Sequence, residues 1–255
     1  MTENYHPEQY WDTVAESIDG REDLKIIAGD DEPYYRYKRR LFLELFRKLD
    51  VRGKKVLEIG SGPGGNLQEL TRMGAAGITG ADISSRMIGV ARRNLNNDAV
   101  QLVKINGREL SFPERNFDIA FTSTVLQHNT DERTLLPLIG EICRVTAGEV
   151  ILFERIESRI KGHESCLGRP VGYYAAIMKE HGFELSETQY LPLQASYYVC
   201  GAIRKIFNAS SRKEGESISG AARLLENITL PVTKILDRVI PSRRDVGMLR
   251  FRRKS

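Results

Sequence analysis

The sequence predicts an α/β fold built on a mainly parallel sheet, on three observations. Short runs of β-branched and aliphatic residues recur with helix-patterned stretches between them. One such run leads directly into a glycine-rich turn, Gly60-Ser61-Gly62-Pro63-Gly64-Gly65, and then into a helical pattern. The composition, 41% apolar and 28% charged over 255 residues, is that of a globular chain with room for a sizeable core, and it excludes disordered and collagen-like classes.

The first strand is Lys55–Gly60, and after the glycine turn Leu67 and Leu70 share one helical face. The second strand, Gly77–Asp82, leads into a helix through Met87, Ile88, Val90 and Ala91, and Val100–Lys104 and Phe117–Phe121 supply the third and fourth strands. Asn129-Thr130-Asp131-Glu132 opens a helix in the manner of a capping box, with Leu135, Leu138, Ile139 and Ile142 on its buried side and Gly148 as its expected end. The fifth strand is Glu149–Glu154. A helix from Gly172 to His181 stops at Gly182, and a poorly alternating sixth strand runs from Phe183 to Tyr190. Between Leu191 and Ser242 two helical stretches, Tyr197–Phe207 and Ala221–Val239, flank the polar segment Asn208–Gly220 and read as a lid. Val246–Arg252 closes the chain as a last strand. The resulting organisation is an N-terminal helical cover over 1–50, a core over 51–190, a helical lid insertion over 191–245, and a final core strand with a basic tail over 246–255.

No run approaches the roughly 18 consecutive apolar residues of a membrane span. The segment Met1–Glu8 has no basic region followed by an apolar one, so a cytoplasmic location is the expectation. Cys143, Cys166 and Cys200 lie 23 and 34 residues apart, a spacing that suits neither paired metal ligands nor a disulfide framework, so reduced thiols and no metal are expected. The net charge of +4 is unevenly placed: Cys200–Ser255 holds 13 Lys and Arg against 5 Asp and Glu. Such a basic C-terminus is either a solvated face or an attraction to an acidic partner, an anionic membrane among them.

The glycine turn brings backbone close to a ligand. Glycine permits positive φ and carries no Cβ, and the helix beyond offers unpaired N–H groups. Gly60, Gly62 and Gly65 fit a dinucleotide pattern, but Gly60, Gly62 and Gly64 equally fit a G-x-G-x-G form. Asp82, at the end of the second strand, is placed to accept hydrogen bonds from ribose hydroxyls in either case. An adenosine-bearing cofactor is implied. Glu58 would repel a diphosphate yet attract a cationic amino-acid group, which favours a zwitterion.

From Val56 to Asn66 the sequence resembles the first motif of the class I S-adenosylmethionine-dependent methyltransferases. The resemblance continues in order through Gly80–Ser84, Ile105–Pro113 and Phe117–His128, and covers roughly residues 51–190. It implies a Rossmann-like, doubly wound sheet of seven strands, the last antiparallel beside the fifth, with S-adenosyl-L-methionine as cofactor. Gly60, Ser61, Gly62 and Gly64 would surround its methionine and ribose portions, Asp82 would hold the ribose, and Ile83 and Met87 would flank adenine. Asn66, Gly107, Thr122 and Gln127 fall in the same motifs and are expected beside the cofactor. Asn106 stands where the family usually has an Asp that accepts from the adenine amino group; its amide carbonyl can accept that bond, or the residue serves only a turn.

Methyl transfer from a sulfonium asks mainly for positioning, with a general base needed where the acceptor is a hydroxyl. His128, just beyond the fourth strand, is the leading candidate base; Glu154 is a candidate to orient the acceptor, and His163 is a third. Tyr10, Trp11, Tyr34, Tyr35, Tyr37, Tyr173, Tyr174, Tyr197 and Tyr198 could shield a cation or exclude water. The expected acceptor is a small or lipid-like molecule. Nucleic acid is disfavoured, because Thr122-Ser123-Thr124-Val125 differs from the Asn/Asp-Pro-Pro-aromatic tetrad that holds a flipped base. A nicotinamide-dependent oxidoreductase and a non-catalytic membrane- or nucleic-acid-associated protein are the alternatives. The aliphatic residues of 221–239 lie largely on one side, which is expected to pack on the sheet as part of the lid and otherwise could meet anionic lipid.

Overall fold

A computed structural model describes residues 5–19, 32–212 and 216–254. Nine strands and eight α-helices are found among them: α1 (Pro7–Asp19), α2 (Pro33–Phe46), β1 (Lys55–Ile59), α3 (Gly65–Met73), β2 (Gly77–Asp82), α4 (Ser85–Leu95), β3 (Val100–Lys104), β4 (Phe117–Ser123), α5 (Glu132–Val145), β5 (Thr146–Ile156), β6 (Lys161–His163), β7 (Cys166–Gly168), α6 (Val171–Glu180), β8 (Phe183–Tyr190), α7 (Gln194–Phe207), α8 (Gly220–Leu236) and β9 (Asp245–Arg253). Seven strands form one sheet in the order β3-β2-β1-β4-β5-β9-β8, with β9 antiparallel to both of its neighbours. The expected seven-stranded, mainly parallel sheet with an antiparallel last strand is therefore present.

Strand order reverses between β1 and β4, and in open α/β sheets ligands bind outside the carboxyl ends of the strands at such a point. Register makes that rim level: Ile59 lies beside both Ala81 and Thr122, so Gly60, Asp82 and Ser123 emerge together. Two apolar clusters sandwich the sheet. Val56, Ile119, Ile151 and Phe153 face one side with Phe42 and Phe46 of α2, while Leu57, Ile59, Ala120 and Leu152 face the other with Leu135, Leu138 and Ile139 of α5. Burial on both faces explains why β1, β4 and β5 read as continuous apolar runs.

Three expectations are corrected. Gly148 does not end α5, which stops at Val145; it sits inside the longer β5 at a register shift, where a Cβ would lie 2.7 Å from the Asp118 carbonyl oxygen. The last four cations of the basic C-terminus are not a free patch. Across the sheet Arg250 pairs with Glu149 at 2.9 Å and Glu187 at 3.5 Å, Arg252 with Glu149 at 3.0 Å and Lys254 with Glu184 at 2.7 Å, while Arg253 donates to the carbonyls of Cys143 and Thr146. Finally, the aliphatic side of α8 does not pack on the sheet: Leu224, Ile228, Val232 and Ile235 are exposed, and the helix turns Ala222, Glu226, Leu230 and Thr233 inward. No described helix is long and apolar enough to cross a membrane.

Candidate active site

A cleft of ≈ 570 Å³ opens at the carboxyl ends of β1, β2 and β4. Of the expected cofactor residues, Glu58, Gly60, Ser61, Gly62, Asn66, Asp82, Ile83, Met87 and Gln127 line it, and so does His128. The turn after β1 takes φ values of +70° at Gly60, +50° at Gly62 and +92° at Gly64, the last being the N-cap of α3. At Gly60 a side chain is excluded twice over, by the left-handed backbone and by Val125, whose Cγ2 would lie 2.2 Å from an added Cβ. Gly64 shapes the turn without lining the cleft.

Asp82 accepts from the Gly62 amide at 2.8 Å and from the Ser84 amide at 2.8 Å, so it ties the end of β2 to the glycine turn and still faces the cleft. Burial raises its pKa to about 6 against those two hydrogen bonds. Glu58 is 1% exposed. Its Oε1 accepts from Asn66 Nδ2 at 2.6 Å, and Asn66 Oδ1 in turn accepts from Arg39 at 2.5 Å. The second oxygen, Glu58 Oε2, is buried with no partner, as is Ser61 Oγ. Burial pushes the Glu58 pKa up to about 8. A buried carboxylate oxygen without a donor, beside a glycine cradle and a carboxylate at the ribose position, is the complement of a ligand bearing an ammonium group and a sugar diol. The donor set fits S-adenosylmethionine.

The segment after β4 carries Gln127 and His128 on a short 3₁₀ turn, Leu126–His128. Gln127 Oε1 accepts from the Arg155 amide, so its Nε2 donates to His128 Nε2 at 3.1 Å. His128 Nδ1 lies 2.8 Å from the Ser165 carbonyl oxygen and must be the protonated nitrogen. The ring is thereby oriented at both nitrogens: Nδ1 donates to the Ser165 carbonyl and the Nε2 lone pair accepts from the Gln127 amide, a bond that must open before Nε2 can take a proton. Trp11 of α1 packs edge-on against it, with centroids 5.1 Å apart.

Besides Gly64, four expected residues lie outside the cleft lining. Glu154 is fully buried and does not orient an acceptor: Oε1 accepts from Thr122 Oγ1 at 2.7 Å and from the amides of Val125 and Leu126, and Oε2 from that of Gln127. Thr122 is consumed by the same contact and lies behind the cleft wall. Asn106 serves the turn, its Oδ1 accepting from the amides of Arg108 and Glu109 at 2.9 Å each, and its carbonyl is thus committed away from adenine. Gly107 supports Ile83, whose Cδ1 would be 3.1 Å from an added Cβ, and does not line the cleft.

The sequence predicts a helical cover over 1–50 but neither most of its lining residues nor the β6–β7 hairpin. Tyr35, Lys38, Arg39 and Phe42 reach the cleft from α2, and the β6–β7 hairpin brings His163, Ser165 and Cys166 over it. Only Tyr35 and His163 had drawn attention; three-residue strands leave no periodicity to read. The two-residue hairpin span between His163 and Cys166 was the available signal. From the other side α1 is fixed by Asp12 to Ser84 Oγ at 2.5 Å and by Glu16 to Arg86 at 2.8 Å, with Val14, Ala15 and Ile18 packed on Met87.

Residues 56–148 match the methyltransferase domain family. A fatty-acid O-methyltransferase of Mycolicibacterium smegmatis is 38% identical over 96 residues, which span 37% of this chain and 35% of that enzyme, so the likeness reaches about a third of the relative's length. Among solved structures, the magnesium protoporphyrin IX methyltransferase of Synechocystis with bound S-adenosylhomocysteine superposes with a TM-score of 0.60 at 13% identity, covering 97% of this chain and 98% of that one. The [4+2]-cyclase SpnF superposes at 0.66 with 16% identity over 96% and 95%. Those two likenesses establish the fold alone, since one scaffold hosts several chemistries. Residues 56–148 thus form a methyltransferase domain, set in a complete seven-stranded sheet of the Rossmann-like methyltransferase fold.

Proposed function

We propose that the protein transfers a methyl group from S-adenosylmethionine to an oxygen, nitrogen or carbon of a small or lipid-like acceptor, in a reducing, cytoplasmic setting that suits three cysteines outside any disulfide. The observation that carries this reading is the unpartnered Oε2 of Glu58 in the wall of the cleft that Asp82 also lines. In this reading residues 51–190 and 246–255 hold the cofactor, while 1–50 and 191–245 close over it. The bound cofactor supplies an electrophilic methyl on a cationic sulfur. Glu58 and Asp82 fix its two polar ends, and Trp11, Tyr35 and Phe42 exclude water and offer ring faces to the cation. With the Gln127 amide displaced by the incoming hydroxyl, His128 Nε2 takes the proton of a hydroxyl acceptor, and the Ser165 carbonyl steadies the imidazolium through Nδ1–H. A fatty acid is the acceptor of the Mycolicibacterium relative by its name, and the apolar lining at Leu191 and Val246 suits an acceptor with a hydrocarbon portion.

Calorimetric titration with S-adenosylmethionine, S-adenosylhomocysteine and NAD in parallel tests the reading. Binding of the first two without the third is expected; NAD alone binding would overturn it. His128→Ala is expected to lower turnover of a hydroxyl acceptor by roughly 10²–10⁴-fold while S-adenosylhomocysteine affinity stays within about twofold; a matched loss of affinity would instead assign the ring to the pocket wall.

A further inference from the structure

We propose that α8 docks the protein onto an anionic membrane surface through its outward aliphatic stripe. The inference rests on the geometry of α8 and not on the methyl-transfer reading. Leu224, Ile228, Val232, Ile235 and Val239 follow one another at intervals of four, four, three and four residues, which places them along one side of the helix and its continuation. They are 61%, 61%, 61%, 64% and 74% exposed. Single exposed aliphatics are ordinary, but a continuous stripe of five is not.

The helix is polar side in. Glu226, fully buried, pairs with Arg204 at 2.5 Å and accepts from the Tyr34 amide at 3.1 Å; Thr233 bonds Ser196 at 2.8 Å. Turning the stripe toward the core would tear these contacts and strand a buried carboxylate, so the outward orientation is fixed by the fold.

Charge selects the occupant. Arg238 flanks the stripe on α8 and Arg243 follows it, both exposed, whereas Lys234 lies over the Tyr37 ring and Arg244 reaches Glu157 at 4.0 Å. The acids Glu226 and Asp237 are buried, leaving Glu216 as the exposed acid among the described residues of 191–244. A second copy would bring cationic rims together without acids to answer them. An anionic bilayer offers both an apolar layer and opposite charge, and since no described helix can span it, α8 lies in the interface plane.

The test uses the full chain in co-sedimentation with vesicles of phosphatidylcholine, alone or with a quarter phosphatidylglycerol. A preference of about tenfold or more for the anionic vesicles is expected, weakened by salt and by Arg238→Glu with Arg243→Glu. Ile228→Glu with Ile235→Glu should abolish binding while circular dichroism stays unchanged, because both side chains are exposed. In Val232→Trp the added tryptophan should shift its emission to the blue on anionic vesicles, reporting entry into the apolar layer. The proposal is overturned by absence of binding to anionic vesicles, by salt-reversible binding with no blue shift, or by a solution dimer that Ile228→Glu with Ile235→Glu dissociates.

Discussion

Glu58→Gln is expected to weaken S-adenosylmethionine binding by about 100-fold or more and, in the same preparation, to raise the melting temperature of the unliganded protein. The two signs come from one atom. In the unliganded cleft Glu58 Oε2 is buried without a donor, and burial lifts the carboxyl from the usual 4.5 to about 8. A glutamine keeps the shape and the bond from Asn66 and removes the cost of holding a carboxyl protonated at neutral pH, which outweighs placing its NH₂ at the unpartnered Oε2 position. The gain is on the order of 1–3 kcal/mol, or roughly 3–10 °C in a chain of this size. The pH dependence follows. Between about 4.5 and 8 the folded protein holds a proton that the unfolded chain has released, so stability falls as pH rises through this window and levels off above it. A bound ammonium group favours the ionised carboxylate, so binding near pH 7 should release protons and tighten toward pH 8. Calorimetry in buffers of different ionisation enthalpy measures that release. A variant that binds as tightly as the parent would show that Glu58 does not face the ligand, and one that melts lower would show that the buried carboxyl does not destabilise the unliganded protein.

The parts of this protein legible in its sequence are those fixed by short-range rules. β2, β3 and β8 begin and end where the apolar runs and turn residues put them, and the glycine turn announces a ligand because Gly60 and Gly64 need positive φ within a few residues of each other. What stayed hidden was decided by partners far along the chain. The run Arg250–Lys254 looks like a free cationic patch until β9 is laid between β5 and β8, which brings it against Glu149, Glu184 and Glu187. Periodicity groups Leu224, Ile228 and Val232 on one side of α8 but cannot tell which side faces in. That is settled by Arg204 and Ser196, which hold Glu226 and Thr233 inside. Asn106 and Glu154 were placed at the cofactor and at the acceptor because their positions in the motifs suit it, whereas their lone pairs are already taken by neighbouring amides.

Those amides make Glu154→Gln the most damaging isosteric change outside the cleft. Both carboxylate oxygens of Glu154 only accept: three from backbone N–H groups of Val125, Leu126 and Gln127, and one from the Thr122 hydroxyl. Arg169, also buried, holds the same turn from its carbonyls, donating to Leu126 at 2.9 Å and Asn129 at 2.7 Å. The segment that aims Gln127 and His128 is therefore clamped through its amides by a buried carboxyl group and through its carbonyls by a buried guanidinium. In the glutamine variant an amide NH₂ must face at least one of these donors, leaving an N–H buried and unmatched, at about 2–4 kcal/mol. Thermal unfolding should move down by roughly 5–15 °C. Loosening the turn also frees the His128 ring from its bond to the Ser165 carbonyl, so turnover should fall more than stability alone explains. At a temperature where the variant is fully folded, kcat is expected to drop by about tenfold or more while cofactor affinity changes little, since misplacement of a reacting group by even 1 Å is costly. Arg169→Met, which loosens the same turn from the other side, should share this pattern, and combining the two should cost less than their sum because both act on one clamp. Full additivity, or an unchanged kcat in the folded single variants, would show that the turn keeps its shape without them.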